Sequence, residues 1–229
     1  MKALFQVPCH LASNNNNTIN SVLKVAKHLN IELEILHDFT CCGLPIFENG
    51  DFKQAKKIAE HHVKALKDKT IITCNDKCQK TFEKYYPKIL NNTVVHNDCM
   101  ALSENTKSIF EFLPQLKLSK SNDISGQYFF LKDCSNQQIP SILTQFKNVE
   151  WHFSEMENTC CGASFGFSCH NPHLSEKMAL NILEEMKNKN IDKIITPNDL
   201  CLNYIDSMMK KHNITFQIIH LLDFIADAI

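Results

Sequence analysis

The sequence predicts an α/β fold made of two pseudo-symmetric, Rossmann-like halves, each built on a parallel sheet. Three observations support this prediction. Short β-rich runs alternate with helical stretches along all 229 residues. Residues 71–78 (IITCNDKC) reappear as residues 194–201 (IITPNDLC), with six of the eight positions identical. The length suits two domains of about 100–120 residues each.

The elements of the first half follow from local composition and hydrophobic period. Apolar and β-branched runs predict strands, and apolar residues at helical spacing predict helices, most clearly in the amphipathic segment 51–66. A polar loop at residues 14–17 follows the first strand. We predict strands over residues 2–7, 31–37, 70–73 and 93–96, and helices over residues 18–29, 51–66, 76–86 and 107–116.

The second half repeats this alternation, which favours parallel sheets with helices on both faces. A segment rich in Ser, Lys and Asn near residues 117–126 predicts a linker, and hence domains over residues 1–120 and 126–229. The predicted strands are residues 127–131, 149–153, 191–196 and 215–217, and the predicted helices are residues 140–146, 172–189, 198–212 and 219–228.

Eight of the eleven cysteines recur in two matching sets, each a single Cys, then Cys-Cys-Gly, then a further Cys. The sets are Cys9, Cys41, Cys42 and Cys78 in the first half, and Cys134, Cys160, Cys161 and Cys201 in the second. Each cysteine follows a predicted strand, and the carboxyl ends of parallel strands are where open α/β sheets bind ligands. The sets therefore predict a duplicated soft-metal site.

Local features around the cysteines agree with this hypothesis. Helix N-termini beside Cys78 and Cys201 favour the thiolate form. Gly43 and Gly162 allow a tight turn beside a bulky inorganic group. The repeated aspartates of the Asn-Asp pairs, at positions 76 and 199, are interpreted as helix caps rather than acid–base groups.

The pairs of adjacent cysteines indicate which metal is bound. Two neighbouring side chains tend to diverge and fit poorly around one tetrahedral zinc, whereas a multi-iron cluster can use both. Iron–sulfur is therefore the favoured interpretation, and zinc in one or both halves remains the alternative. Cys74 aligns with Pro197 but lies four residues before Cys78, and we predict it as a fifth ligand. Cys169 is left open, and Cys99, which has no counterpart, is predicted to be structural.

Composition excludes several classes of function. A net charge of −1 gives no basis for a nucleic-acid partner. No apolar stretch approaches the roughly 18–20 residues needed to span a bilayer, and the N-terminus is too short for a signal peptide. We therefore expect a cytoplasmic protein whose cysteines are not structural disulfides, with peripheral membrane association left open. The sequence has no P-loop, dinucleotide fingerprint or Ser-His-Asp signature, so catalytic residues stay unassigned.

At these residues the chain resembles the cysteine-rich, Cys-Cys-Gly domain family. This family includes the cysteine-rich component of heterodisulfide reductase and the iron–sulfur subunits of lactate utilisation, glycolate oxidase and anaerobic glycerol-3-phosphate dehydrogenase. The run 41–45 (CCGLP), followed by Asn49-Gly50, is especially similar to the small lactate-utilisation subunit. The resemblance implies four-iron clusters held by up to five cysteines in each repeat. The chain departs from the family at Cys74, where Cys-x-x-x-Cys replaces Cys-x-x-Cys, at Pro197, and at residues 163–166 (ASFG).

The resemblance implies an iron–sulfur electron-transfer subunit of a cytoplasmic oxidoreductase complex, carrying one or two clusters of the [4Fe-4S] type. Its implied reaction is oxidation of a 2-hydroxy acid such as lactate or glycolate, and its implied partners are other iron–sulfur or flavin subunits. A heterodisulfide or thiol–disulfide reductase subunit acting at the cluster is one alternative. A zinc-stabilised interaction module is the other.

Overall fold

The structure, a computed structural model, describes residues 1–13, 17–36, 41–133, 140–155 and 159–229. The chain forms two compact units, Met1–Phe112 and Leu113–Ile229. Each unit contains a four-stranded sheet in which every pairing is parallel. The predicted α/β fold with two parallel-sheet halves is therefore confirmed.

The first unit has strand order β2-β1-β3-β4. A π-helical turn, Thr81–Tyr85, joins its fifth and sixth helices, and a 3-10 helix, Ile109–Gln115, follows its last strand. Its strands are β1 (Lys2–Gln6), β2 (Glu32–Ile35), β3 (Ile71–Thr73) and β4 (Thr106–Ser108). Its helices are α1 (Cys9–Ser13), α2 (Asn17–His28), α3 (Leu44–Glu48), α4 (Phe52–Leu66), α5 (Asp76–Lys80), α6 (Tyr86–Ile89) and α7 (His96–Glu104).

The second unit has the equivalent strand order β6-β5-β7-β8. Short 3-10 helices at Ser121–Asp123 and Ser141–Gln145 flank its first strand. Its strands are β5 (Gly126–Phe130), β6 (Val149–His152), β7 (Lys193–Thr196) and β8 (Gln217–His220). Its helices are α8 (Phe165–His170), α9 (Pro172–Asn188), α10 (Asp199–Lys211) and α11 (Leu221–Asp227).

The strand order brings three loops of each unit to one edge of its sheet. In the first unit β1 lies between β2 and β3, so the chain moves to one side of β1 and then to the other. The loops that leave these three parallel strands share the carboxyl edge at this switch point, which is the usual ligand site of such sheets. β5 holds the same position between β6 and β7.

Cysteines are part of both cores. In the first unit Cys42, Cys78 and Cys99 pack in one buried cluster with apolar side chains such as Phe82. In the second unit Cys161 and Cys201 pack in the corresponding cluster with residues of β7, α9 and α10. The predicted metal-binding edge is therefore continuous with the core, which shields these sulfur atoms from water.

One predicted strand was wrong. Residues 93–95 form turns instead of a strand, with Val94 101% exposed, and His96 begins α7. The fourth strand is β4, at the start of the segment predicted as the helix 107–116, and a 3-10 helix occupies the rest of that segment. β4 has no apolar pattern because its buried Thr106 and Ser108 are polar. Its pairing with β3 defines it as a strand, and local composition could not show this.

The helix caps also differ from the prediction. Asn75, and not the aspartate that follows it, caps α5 by accepting hydrogen bonds from the amides of Lys77 and Cys78 at 2.9 and 3.1 Å. Asn198 caps α10 in the same way through the amides of Leu200 and Cys201, at 3.0 and 3.2 Å. The repeated Asn-Asp pair therefore fixes the helix start that carries the last cysteine of each set.

A threonine oxygen at the end of the preceding strand accepts the amide of each capping asparagine, at 3.3 Å in both units. This completes a Thr-x-Asn arrangement that explains why both residue types recur in the repeat. Across the described residues, none of the helices is both long and apolar enough to cross a membrane.

Loss of either cap should destabilise the metal-free protein. Asn75→Ala should lower the free energy of unfolding by about 1 kcal/mol or more. Asn198→Ala should lower it by about 2 kcal/mol, because Asn198 Nδ2 also donates to the buried Asp133 carboxylate at 2.5 Å. Urea denaturation followed by circular dichroism measures both. Asn20→Ala, at an exposed position in α2, is the control and should leave stability unchanged or raise it slightly, because alanine favours the helix. An equal loss in all three variants would contradict the assignment of the caps.

Candidate metal centre

The cysteines of the first unit lie where the strand order places ligands. Cys9 begins α1 shortly after β1, Cys74 directly follows β3, and Cys78 lies in the first turn of α5. Cys41 and Cys42 stand before α3, after the segment that leaves β2. Five predicted ligands of this unit thus follow three neighbouring parallel strands.

Four of these thiols form a chain of hydrogen-bond contacts. Cys41 contacts both Cys9 and Cys42, and Cys42 in turn contacts Cys78. Hydrogen bonds from Cys42 and Cys9, and more weakly from the Gly43 amide, outweigh burial and lower the pKa of Cys41 to about 2. The pKa of Cys42 is raised well above its usual value by its contacts with Cys41 and Cys78 and by burial. The half-buried end of the pair therefore carries negative charge more readily than the buried end.

The Cys-Cys-Gly turn has the same geometry in both units. Gly43 and Gly162 both have φ of +80°, and each amide donates to the sulfur of the first cysteine in its pair, at 3.3 Å to Cys41 and 3.4 Å to Cys160. Glycine is required for this left-handed backbone and also for close packing. A Cβ on Gly162 would lie 2.7 Å from the Ser175 carbonyl oxygen, and one on Gly43 would lie 3.1 Å from an Ile58 methyl group.

The second unit brings together the equivalent buried cysteines but joins them covalently. Cys161 and Cys201 form a disulfide with their Cα atoms 5.8 Å apart, although we expected thiols here. Cys160 is half-buried, and Cys134 lies outside the described residues. Because Cys161 and Cys201 are equivalent to the contacting Cys42 and Cys78, both units place this pair of sulfurs side by side. Only the reduced pair can act as metal ligands.

The remaining cysteines have different surroundings. Cys74 is buried directly beside the Asn75 cap. Cys99 lies in the core on α7, and burial raises its pKa to about 11, as suits a structural thiol. Cys169 is exposed on α8. The structure thus gives Cys74 a place near the ligand edge.

A buried Tyr–His pair behind Cys42 was missed by the sequence analysis. Tyr86 donates from its hydroxyl to the Cys42 carbonyl at 2.9 Å, and His62 Nδ1 lies 2.7 Å from the same hydroxyl oxygen. Burial, and then the nearby His61, lower the pKa of His62 to about 4, so the ring is neutral at pH 7. The Tyr86 hydroxyl has one proton, which it donates to the Cys42 carbonyl. The hydrogen bond between His62 and Tyr86 therefore requires His62 Nδ1 to be the protonated nitrogen. Neither residue has a counterpart in the repeat that could have marked it.

The aspartates that follow the caps also have a role that the sequence did not reveal. Asp76 accepts a hydrogen bond from the Ser108 hydroxyl at 3.4 Å. Ser108 pairs in register with Thr73, and His220 pairs in register with Thr196, so they are equivalent. Asp199 acts electrostatically on His220, which lies 3.1 Å from the Pro197 carbonyl. Each aspartate therefore connects the helix start to the end of the fourth strand.

The sulfur donors of the first unit are of the type that binds iron–sulfur clusters. Thiolates are the usual ligands of such clusters, whose different metal atoms bind different sulfurs. Across the described ranges, no three His, Cys, Asp or Glu side chains form a group that could hold one metal ion. The two Gly amides that point at sulfur would stabilise thiolate ligands further.

Comparison with known proteins identifies relatives of the whole chain. The family model for the cysteine-rich domain (CCG) matches residues 3–83 and 132–206. Lactate utilization protein A of Bacillus pumilus (strain SAFR-032) is 22% identical over 231 residues, which cover 96% of this chain and 97% of that protein. One subunit of the fumarate reductase (CoM/CoB) of Methanothermobacter marburgensis is 23% identical over 216 residues, which cover 89% of this chain and 42% of that longer protein.

Solved structures are more distant. An aspartate racemase homologue from Pyrococcus horikoshii OT3 aligns over 99% of this chain and 96% of its own, with a TM-score of 0.33 and 9% identity. This similarity is too low to inform on function.

Glycine substitutions should separate the cost of the left-handed backbone from the cost of close packing. Gly50 has φ of +83° and no atom within 4 Å of where a Cβ would lie, so Gly50→Ala tests the backbone cost alone. It should lower the free energy of unfolding by about 1 kcal/mol. Gly43→Ala should lower the free energy of unfolding slightly more, because the Ile58 methyl group 3.1 Å from the new Cβ must shift. Gly162→Ala should cost about 3 kcal/mol, because backbone atoms of α9 block the new methyl. Urea denaturation of metal-free protein measures the series, and equal costs would rule out the packing constraint.

Proposed function

Because the chain belongs to the cysteine-rich domain family, we propose that it is an iron–sulfur electron-transfer subunit of a cytoplasmic oxidoreductase complex. The observation that carries this proposal is the chain of contacts between Cys9, Cys41, Cys42 and Cys78 at the switch point of a parallel sheet. The two named relatives also support a redox subunit that works with other proteins.

Each repeat, over residues 1–120 and 126–229, would hold its own site. In the first, Cys9, Cys41, Cys42 and Cys78 would be ligands with Cys74 as a fifth, around a cluster of the [4Fe-4S] type. In the second, Cys134, Cys160, Cys161 and Cys201 would be ligands once an external dithiol has reduced the Cys161–Cys201 disulfide to two thiols and has itself become a disulfide. A bound cluster supplies one-electron transfer.

The chain's own residues would prepare each site for that chemistry. The Gly43 and Gly162 amides direct partial positive charge at sulfur. The buried positions of Cys42 and Cys161, 4% and 2% exposed, exclude water from one side. Cys41 and Cys160 are half-buried and leave the other side open to an electron-transfer partner. This asymmetry suits a subunit that exchanges electrons at its surface.

The proposed reaction of the complex is oxidation of a 2-hydroxy acid such as lactate or glycolate, supported by the name of the Bacillus pumilus relative. The sequence has no dinucleotide or P-loop fingerprint, so a flavin or further iron–sulfur subunit would supply the substrate site. A second candidate is a disulfide reductase subunit in which an external disulfide reaches the cluster. The half-buried Cys41 and Cys160 favour it, because they would leave a cluster edge accessible.

Anaerobic purification tests the proposal directly. The protein should be brown, contain iron and acid-labile sulfide, and give an electron paramagnetic resonance signal after reduction. A colourless protein with stoichiometric zinc and no sulfide after anaerobic reconstitution would refute the proposal and favour a zinc-stabilised interaction module. Two measurements with the partner subunits present distinguish the redox candidates. Reduction of the cluster by lactate or glycolate supports oxidation of a 2-hydroxy acid, and oxidation of the reduced cluster by a disulfide supports the disulfide reductase.

Substitution of single cysteines should identify the ligands. Cys42→Ser and Cys161→Ser should each remove or convert the cluster of one unit, because each removes a buried sulfur at the ligand edge. Cys99→Ser is the matched control, since Cys99 is also buried in the same core cluster as Cys42 but lies on α7 and has no counterpart in the repeated set. Iron and sulfide analysis measures the result. Loss of iron in Cys99→Ser with none in Cys42→Ser would show that the ligand set is wrong.

The two sites should also be unequal. Cys74 in the first unit aligns with Pro197 in the second, so the first site has one more nearby thiol. Potential and stability depend on ligation, so the two sites should differ in midpoint potential or in ease of cluster loss. Cys74→Ser should change the spectrum of the first site, and Cys169→Ser tests the exposed thiol of the second unit. An unchanged spectrum and iron content of the first site in Cys74→Ser would exclude Cys74 as a ligand. Indistinguishable signals and potentials of the two sites would then refute the asymmetry.

A further inference from the structure

In each unit a buried hydroxyl group donates a hydrogen bond to a carbonyl of the Cys-Cys-Gly turn. In the first unit Tyr86, 1% exposed, donates to the Cys42 carbonyl at 2.9 Å. In the second Ser175, 0% exposed, donates to the Gly162 carbonyl at 2.7 Å. The two hydroxyls come from different elements, a tyrosine at the start of α6 and a serine on α9. The turn is thus held by different side chains and at different carbonyls, that of the second cysteine in the first unit and that of the glycine in the second.

Each hydroxyl is itself held by a second side chain. His62 Nδ1 lies 2.7 Å from the Tyr86 oxygen, and the rings of His62, Phe82 and Tyr86 pack with centroids 5.0–5.9 Å apart. The Tyr204 hydroxyl lies 2.6 Å from Ser175 Oγ. The Tyr86 and Ser175 hydroxyls each have one proton, which they donate to the turn. We therefore assign His62 as the donor to the Tyr86 oxygen and Tyr204 as the donor to the Ser175 oxygen.

We propose that Tyr86 and Ser175 are positioning residues that set the redox potential of the first and the second site separately, each by holding its Cys-Cys-Gly turn. This inference rests on the proposed function, since it assigns the residues to the proposed clusters. His62 and Tyr204 support them by fixing the orientation of the two hydroxyls.

The effect follows from the geometry of the turn. In the first unit the Cys42 carbonyl and the Gly43 amide belong to one peptide group, so holding the carbonyl on the core side points this amide at Cys41 Sγ, 3.3 Å away. In the second unit Ser175 holds the peptide that follows Gly162 and so fixes the glycine whose own amide donates to Cys160 at 3.4 Å. Amide hydrogen bonds to ligand sulfur stabilise the more negative, reduced state of a cluster and so raise its potential. Loss of the hydroxyl leaves the carbonyl without this donor and lets the turn rotate, which weakens the bond from amide to sulfur. The potential of that site should therefore fall.

The experiment compares Tyr86→Phe, Ser175→Ala and the control Tyr85→Phe in the anaerobically prepared full-length protein. Tyr85 is the adjacent tyrosine, half-buried and in ring contact with Phe47. Redox titration monitored by electron paramagnetic resonance should show a lower potential for the first site only in Tyr86→Phe, and for the second site only in Ser175→Ala. Tyr85→Phe should match the wild type. Equal potentials in all four proteins, or a shift of both sites in either variant, would overturn the inference.

A second measurement uses metal-free, reduced protein and does not depend on clusters. Alkylation by iodoacetamide, followed by mass spectrometry, should be at least several-fold faster at Cys42 in Tyr86→Phe than in wild type or Tyr85→Phe, with Cys99 as the internal control for global unfolding. Faster alkylation at Cys99 as well would assign Tyr86 a general structural role and overturn the inference. If wild-type protein binds no iron, the proposed function fails, whereas unchanged Cys42 alkylation in Tyr86→Phe shows that the turn does not depend on this hydroxyl.

Discussion

The parallel pairing of one strand with two neighbours is the constraint on which the candidate site depends. Phe5 of β1 pairs with Ile35 of β2 on one side and with Ile72 of β3 on the other. This register aligns the ends of all three strands, so that loops far apart in sequence leave the sheet at the same edge. The thiol contacts from Cys9 to Cys78 exist because of it. The register depends in turn on buried apolar side chains, which anchor it without any metal.

The two units share this strand arrangement but differ in the side chains around the candidate site. The Thr-x-Asn cap and the left-handed glycine recur with nearly identical hydrogen-bond lengths. The groups around them do not recur: a thiol contact corresponds to a disulfide, a tyrosine to a serine, and Cys74 to Pro197. Backbone geometry is therefore the common element, and sulfur chemistry and its surroundings are where the two halves diverge. Such a divergence would give the two proposed sites unequal properties.

The sequence was informative where the repeat or the hydrophobic period carried the signal. Within the described residues, it located seven of the eight strands to within a few residues. It failed at β4, since Thr106 and Ser108 are buried polar residues that only their pairing with β3 reveals. It also missed the Tyr86–His62 pair, because contacts between residues on separate helices leave no local pattern. The choice between Asn75 and its neighbour as cap depends on backbone angles that composition does not encode.

The independence of the Asn cap from the thiol beside it bears on how this fold can evolve. Asn75 and Asn198 satisfy the first amides of their helices through side-chain oxygen, and the cysteine sulfur takes no part in these bonds. A descendant repeat could thus lose its cysteines and keep its architecture. In the second unit Pro197 stands at the position of Cys74 beside an intact cap, so the cap does not require a cysteine there. Degenerate members of this lineage should therefore be traceable by the Thr-x-Asn signature after their metal-binding residues have gone.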